Sequence, residues 1–188
     1  MVKKTVFVLM IGAIFACTSL ALGADIGFKG AHVRVGYVMP EDPIESTIGF
    51  GGGVDLGTIT ENIGLEAQVF YWSKSYDVGT AEWKYSDLAI KAHGKYMFPM
   101  ETFTPYIGGG LGFHMYSYEW EWPPYTVGGT TVAGSSYDDS ETKIGFHFLG
   151  GLQYPFNEKI SLIVEAEYDL ADLDQFIIGG GVAMKFGQ

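Results

Sequence analysis

The sequence predicts an all-β protein, an eight-stranded antiparallel up-and-down barrel that crosses a membrane. Charged residues make up only 18% of the chain and aromatic residues reach 15%, which suits a β protein whose outer surface does not face water. Segments of alternating apolar and polar residues recur at about the length that crosses a membrane as a tilted strand. Beyond residue 23, no apolar run approaches the roughly 20 residues of a membrane-spanning helix. Any crossing must therefore be made by a closed barrel, because open strands would leave backbone groups unpaired in lipid.

The first 23 residues have the layout of a secretory signal peptide. Lys3 and Lys4 precede an apolar run, and a small-x-small pattern at 21–23 provides a cleavage site. We therefore assign 1–23 to a signal peptide and 24–188 to one barrel domain.

The only cysteine, Cys17, lies in the leader, so the mature chain can form no disulfide. A lipoprotein in which Cys17 carries the lipid remains an alternative. Removing the two leader lysines makes the formal charge more negative still than the −11 of the full chain. Such an acidic chain repels nucleic acid, so we expect no nucleic-acid partner.

Residues 160–170 carry the clearest strand pattern. One alternate set is apolar, with Leu162, Val164 and Leu170 among its members, and the other contains Glu165 and Glu167. Successive side chains of a strand point to opposite faces, so this segment has one apolar and one acidic face. A strand of a soluble sandwich can look the same, and the prediction therefore depends on the pattern recurring.

The pattern does recur, in order, along the chain. The eight predicted strands lie at 30–39, 47–57, 63–72, 88–98, 105–118, 143–156, 160–170 and 175–186. Each of the seven strands other than 160–170 is supported by apolar residues at outward positions. Two examples from each strand, in chain order, are Val33 and Val35, Phe50 and Val54, Leu65 and Val69, Leu88 and Ile90, Ile107 and Leu111, Phe146 and Phe148, and Ile178 and Val182. Many inward positions are glycine, which could leave space for water or ease the curvature of a small barrel.

The connections alternate in length. Those near residues 60, 101 and 158 are short, whereas the stretches 73–80 and 119–141 are polar and read as loops. Aromatic residues lie near the strand ends, as in two interfacial girdles: Tyr37, Tyr71 and Tyr168 toward the loop end, and Phe98, Tyr154, Phe156 and Phe186 toward the turn end. Short turns at one end and long loops at the other predict both termini on the periplasmic side of an outer membrane.

With this architecture the chain resembles the small OmpA/OmpX/OmpW-type outer-membrane barrels. The closing segment 181–186, with Val182, Met184 and Phe186 alternating, is similar to the signal that the barrel-assembly machinery recognises in that family, although Gly187 and Gln188 follow it here. The resemblance implies export to the bacterial outer membrane, contact with outer-membrane lipids and lipopolysaccharide, and transient contact with the assembly machinery. We expect a monomer without a cofactor.

The inward positions predict a charged lumen. An eight-stranded barrel is just wide enough for side chains, and buried charges must be paired. Counting from the turns places four charges at similar heights, and we predict an ion-pair network of Arg34, Glu66, Lys91, Glu165 and Glu167. This network can simply fill the lumen, or it can line a narrow polar path for water or ions.

The sequence offers little support for a metal site or for catalysis. All four histidines have inward parity, but counting from the turns places His93 about four residues below His114, on the order of 10 Å away. His114 and His147 could be neighbours, depending on the register across the long loop. We expect lumen histidines rather than metal ligands. We find no serine paired with a histidine and an acid, and we expect no enzyme.

The long loop is the candidate contact surface. Trp120, Trp122, Asp138 and Asp139 combine aromatic rings with carboxylates, which could share divalent cations with lipopolysaccharide. We therefore expect an outer-membrane barrel with a structural or surface-interaction role. The alternatives are a narrow porin-like channel, a carrier for small or hydrophobic molecules, and a soluble ligand-binding barrel.

Overall fold

Eight long antiparallel strands close into a barrel in the computed structural model, which describes residues 24–79 and 81–186. The predicted signal peptide lies outside these residues. Each strand pairs with the next along the chain, and the ring closes between the first strand and the last. The barrel strands are β1 (Asp25–Pro40), β2 (Thr47–Thr60), β3 (Ile63–Val78), β4 (Ala81–Met97), β5 (Thr104–Trp122), β8 (Ser135–Pro155), β9 (Ile160–Leu170) and β10 (Gln175–Lys185). Two short strands, β6 (Tyr125–Val127) and β7 (Thr130–Val132), form a separate hairpin between β5 and β8. The predicted fold class is confirmed.

The connections follow the predicted segregation. The turns β2–β3, β4–β5 and β8–β9 lie at the same end as the start of β1 and the end of β10, because all neighbouring strands are antiparallel. The other connections, including the β6–β7 hairpin, lie at the opposite end, called the loop end below. None of the described residues forms a helix long and apolar enough to span a membrane.

The structure corrects two of the predicted loops. Residues 73–78 continue β3, and the two ends of the stretch 119–141, namely 119–122 and 135–141, continue β5 and β8. The pairing runs unbroken from Trp72↔Asp87 to Val78↔Ala81, and β5 pairs with β8 as far as Trp122↔Ser135. Polar composition suggested loops because these extensions lie beyond the apolar belt, where a strand needs no apolar outer face.

The apolar belt faces outward as predicted. Along β9, Val164 is 58% exposed and Leu162 44%, whereas Ile163 is 9% exposed and Glu165 and Glu167 are buried. The girdle residues Tyr37, Tyr168, Phe98, Tyr154, Phe156 and Phe186 are likewise exposed. The large apolar side chains thus form the outer surface, and the charges lie within.

Inward glycines make room for side chains of the neighbouring strands. β10 places glycine opposite Arg34 of β1, and β5 places glycine opposite His93 of β4. A Cβ added to Gly181 would lie 2.9 Å from the Arg34 Cβ, and one added to Gly110 would lie 2.8 Å from the His93 Cβ. On β2, a Cβ at Gly51 would lie 2.7 Å from Phe70. Large side chains of β1, β3 and β4 therefore pack over glycines of the neighbouring strands. The sequence analysis had considered glycine only as space for water or as an aid to curvature.

Candidate functional site: a closed lumen and a projecting aromatic sheet

Arg34 is held between two carboxylates in the middle of the lumen. Its guanidinium donates through Nη1 to Glu165 and through Nη2 to Glu167, two residues of β9 that share the inward face. The side chain reaches them across the inward glycines of β10, the strand between. A guanidinium suits this position because its planar fork can serve two acceptors at once.

Lys91 is completely buried and also bridges two carboxylates. Its Nζ lies 2.6 Å from Glu167 Oε1 and 2.6 Å from Asp169 Oδ2. Glu167 therefore accepts from both Arg34 and Lys91, and a buried carboxylate needs such partners to remain charged. The sequence prediction had left Asp169 out of the network, although its inward parity was the available signal.

Glu66 belongs to a second group nearer the turn end. It accepts from Lys95 Nζ at 2.8 Å, and His93 Nε2 lies 2.9 Å from its other oxygen. Lys95 also lies 3.2 Å from Glu165, which joins this group to that of Arg34. The structure thus brings the five predicted network residues into one connected set, with Lys95 as the link that sequence reasoning did not select.

Strand register decides which of the lumen histidines meet. His93 Nδ1 lies 3.1 Å from His147 Nε2, because β8 places His147 in the same row as His93. His114 instead lies 2.8 Å from Asp87 Oδ2. The sequence had left the proximity of His114 and His147 open, and the register of the extended β5–β8 pairing decides it: Lys143 lies opposite His114, and Gly110 lies opposite His147.

One set of lumen residues has the spacing of a metal site. His147, Glu167 and Asp169 each place one ligand atom within 4.8 Å of the others. The Lys91 ammonium already lies between the two carboxylates, however, and supplies the positive charge that a metal ion would bring. The arrangement is therefore explained by ion pairing within the chain.

Apolar side chains close the lumen at two levels. Phe70, Trp72 and Ile177 cluster with Val38 and Ile44 toward the loop end. Tyr106, Leu149 and Ile163 form a second cluster, and Tyr106 donates to Glu165 at 2.8 Å. A cavity of about 90 Å³ opens at the turn end beside Glu66 and Lys95, whereas the void next to Arg34 is only about 10 Å³. That smaller volume is about the minimum for one water molecule.

Four strands continue beyond the closed ring at the loop end. β3 loses its pairing with β2 after Trp72, and β8 pairs with β9 only from Phe146 onward. Residues 73–78, 81–86, 117–122 and 135–143 therefore form a four-stranded sheet, the projecting sheet, with two free edges. Six residues of strand extend about 20 Å.

The projecting sheet has one aromatic face. Its aromatic side chains continue the inward parity of the lumen residues, so this is the inner face. Register aligns Tyr76, Trp83, Trp120 and Tyr137 in one row across four strands. The Trp83 and Trp120 rings are 5.6 Å apart, and Tyr85 packs edge-on against Tyr118 at 5.0 Å. Sequence reasoning missed Trp83 and Tyr85 because the segment before residue 88 had no assigned strand.

These rings remain open to solvent. Trp83 is 42% exposed, Trp120 36%, Trp122 41% and Tyr137 60%. On the outer face, Lys84 donates to Glu119 at 3.2 Å, and this hydrogen bond raises the pKa of Lys84. The projecting sheet therefore combines an exposed aromatic inner face with a charged outer face.

The predicted contact residues are divided between the two faces. Trp120, Trp122 and Asp139 lie on the inner face, whereas Asp138 lies on the outer face, since neighbouring residues of a strand point in opposite directions. Asp139 is the register partner of Tyr118. The structure thus separates a group that the sequence placed together in one loop.

A closed eight-stranded ring with an apolar outer belt and charges inside defines a small barrel membrane protein. Residues 8–186 match the outer membrane protein beta-barrel domain, and the chain belongs to that family. Its location is accordingly the bacterial outer membrane. No curated protein sequence matches the chain.

Solved structures show the same fold. A major outer membrane protein from Thermus thermophilus is 11% identical, with a TM-score of 0.63 over 84% of this chain and 98% of that one. Neisserial surface protein A is 18% identical, with a TM-score of 0.58 over 84% and 96% of the two chains. Ail, the attachment invasion locus protein of Yersinia pestis, was solved in complex with the heparin analogue sucrose octasulfate. It is 15% identical, with a TM-score of 0.54 over 84% and 99%.

Proposed function

We propose that this protein is a non-conducting, non-catalytic outer-membrane barrel whose working surface is the projecting sheet. The lumen holds the barrel together, and the sheet makes contacts outside the cell. The chain reaches the membrane by signal-peptide export and the barrel-assembly machinery, and functions as a monomer.

The filled lumen supports the first half of this proposal. Arg34, Lys91 and Lys95 are paired with carboxylates, and apolar clusters lie above and below the ion pairs. A hydrated ion would have to break several buried pairs to pass, at a cost of several kcal/mol each. The network is therefore a structural filling rather than a transport path.

The projecting sheet carries the second half, and its solvent-open aromatic face is the single observation on which the proposal depends. Exposed aromatic patches of this kind mark interaction sites more often than inert surface. The outer face has its own partner: carboxylates such as Asp138 could share divalent cations with lipopolysaccharide beside the barrel.

Single-channel recording tests the closed lumen. The protein in a planar bilayer should give no steady conductance steps, and a variant with Arg34→Ala, Lys91→Ala and Glu167→Ala should give them if it still folds. Steady steps from the unaltered protein would support the channel alternative and contradict the proposal.

Accessibility on intact cells tests the surface role. A cysteine at Thr130 in the β6–β7 hairpin should react with a membrane-impermeant maleimide, and a cysteine at Asn157 in the opposite turn should not. The reverse labelling would place the projecting sheet in the periplasm and exclude a role outside the cell.

A further inference from the structure

We infer that the inner face of the projecting sheet binds a basic peptide segment, by stacking arginine or lysine side chains on its aromatic rings. This inference rests on the proposed surface role of the sheet and adds the chemistry of the partner. The occupant is a short extended segment with cationic side chains on one side.

The rings form a platform of suitable size. The row from Tyr76 to Tyr137 crosses three strand spacings, about 14 Å. An extended peptide repeats its side chains on one face about every 7 Å. Two or three side chains of such a segment can therefore each meet a ring of Tyr76, Trp83, Trp120 or Tyr137.

Charge decides which partner fits the platform. On the inner face of the projecting sheet, Asp139 and Glu141 are matched by Lys74 and Lys143, and the other five carboxylates of the sheet lie on its outer face. Lys74 and Lys143 are themselves paired with Glu45 and Asp172 of the two other loop-end segments, 41–46 and 171–174. Those two segments contain five carboxylates and no lysine or arginine, so the mouth of the barrel beside the inner face has an excess of negative charge. The hairpin of 123–134 has no charged residue to offset it. The resulting negative field attracts cations and repels sulfated or phosphorylated ligands.

The aromatic face already has a cation beside it. Lys74 Nζ lies 5.6 Å from the centroid of the Tyr76 ring, within the distance of a cation–π contact. Trp83, Trp120 and Trp122 offer further rings along the face, and tryptophan is the strongest aromatic partner for a cation. Asp139, the register partner of Tyr118, places a carboxylate beside the rings.

The same charges argue against other occupants. A second copy of this chain would set two acidic sheets against each other, which costs energy. Sucrose octasulfate, the ligand in the Ail structure, is a polyanion and would meet the same repulsion.

The test uses the full protein in nanodiscs of zwitterionic lipid. The probe is a synthetic octapeptide that alternates arginine and serine, and its control replaces each arginine by glutamate. Binding is followed by calorimetry and by tryptophan fluorescence, since three of the four tryptophans lie on this face. The arginine peptide should bind saturably and more weakly at higher salt, and the glutamate peptide should not bind.

Two sets of variants locate the contact. Trp83→Ala with Trp120→Ala should weaken binding about tenfold, because two cation–π contacts are lost. Asp139→Lys should also weaken it about tenfold, whereas Asp138→Lys, with the same change in net charge on the other face, should change it less than about threefold. Heat-modifiable migration on a gel verifies that each variant is folded.

Equal loss for Asp138→Lys and Asp139→Lys, or unchanged binding after removal of both tryptophans, would overturn the inference. Equal binding of the glutamate peptide, or binding of a neutral oligosaccharide instead, would also overturn it. None of these results would contradict the proposed function, which would fail on steady conductance or on reversed labelling in cells.

Discussion

At the residue scale, Arg34 is the side chain on which the lumen network depends. It neutralises Glu165 and Glu167, and those residues connect through Lys95 and Lys91 to Glu66 and Asp169. Removing one member of a buried ion pair leaves an uncompensated charge, which is far costlier than the pair is stabilising.

Arg34→Met should therefore destabilise the barrel by about 3–5 kcal/mol, because two buried carboxylates lose their shared donor. The measurement is urea unfolding in lipid vesicles, with the folded fraction read from heat-modifiable migration. Lys159→Met, which also removes one positive charge but in an exposed turn, should change stability by no more than about 0.5 kcal/mol. Adding Glu165→Gln and Glu167→Gln to Arg34→Met should recover part of the loss. A cost for Arg34→Met equal to that for Lys159→Met would show that the network does not stabilise the fold.

Glycine positions offer a second test at the same scale. Gly110→Ala places a methyl group 2.7 Å from the His93 Cα, so the backbone must shift, and we expect a loss of about 1–3 kcal/mol. Gly94→Ala is the matched control, since its Cβ would meet nothing closer than 3.9 Å. Similar unfolding midpoints for both variants would mean that glycine serves curvature at Gly110 rather than close side-chain packing.

At the element scale, the projecting sheet shows that strand pairing can continue beyond the closed ring of the barrel. β5 has 19 residues and β8 has 21, whereas β9 and β10 have 11 each. The extra length is held by backbone pairing and by cross-strand aromatic contacts, each of the kind that contributes about 0.2–1 kcal/mol.

Replacing residues 123–134 with an Asn-Gly turn should leave the barrel as stable as before. The β6–β7 hairpin pairs only with itself, and Trp122 and Ser135 would remain paired above the ring. The type I′ turn favoured by Asn-Gly matches the twist of paired strands. Unfolding midpoints of the two forms should agree, and a clear drop for the shortened form would show that the hairpin supports the ring.

At the scale of the whole molecule, the barrel is inverted relative to a soluble protein. The outer belt faces bilayer hydrocarbon about 30 Å thick. Charged side chains at that depth therefore lie in the lumen, where other polar groups can pair with them. Residues 24–188 contain no cysteine, so this arrangement can be probed with single labels.

Spin labels at Val164→Cys and Ile163→Cys should report opposite environments. Collisions with lipid-dissolved oxygen should be frequent at 164, which is 58% exposed, and rare at 163, which is 9% exposed. Electron paramagnetic resonance of the protein in vesicles measures both rates. Frequent collisions at 163 with few at 164 would mean that the inside and outside assignments are exchanged.

The sequence by itself determined the number of barrel strands, the face that each strand turns outward and the end at which each connection lies. These features follow from two local properties of the sequence. One is the side-chain period of two along a strand, as at Leu162 and Val164, and the other is the presence of turn residues at strand ends, as at Pro40. It also indicated which charges share the lumen, since parity alone places Arg34, Glu66, Lys91, Glu165 and Glu167 inside.

The tertiary structure decided which of those residues touch. Lys91 pairs with Asp169, His93 with His147 and Lys95 with Glu66, because strand register and glycine positions on the intervening strands set the distances. It also turned two apparent loops into a sheet whose aromatic rings share one face, while adjacent Asp138 and Asp139 point to opposite faces. Register between strands distant in sequence is a property of the closed ring, and no local pattern can specify it.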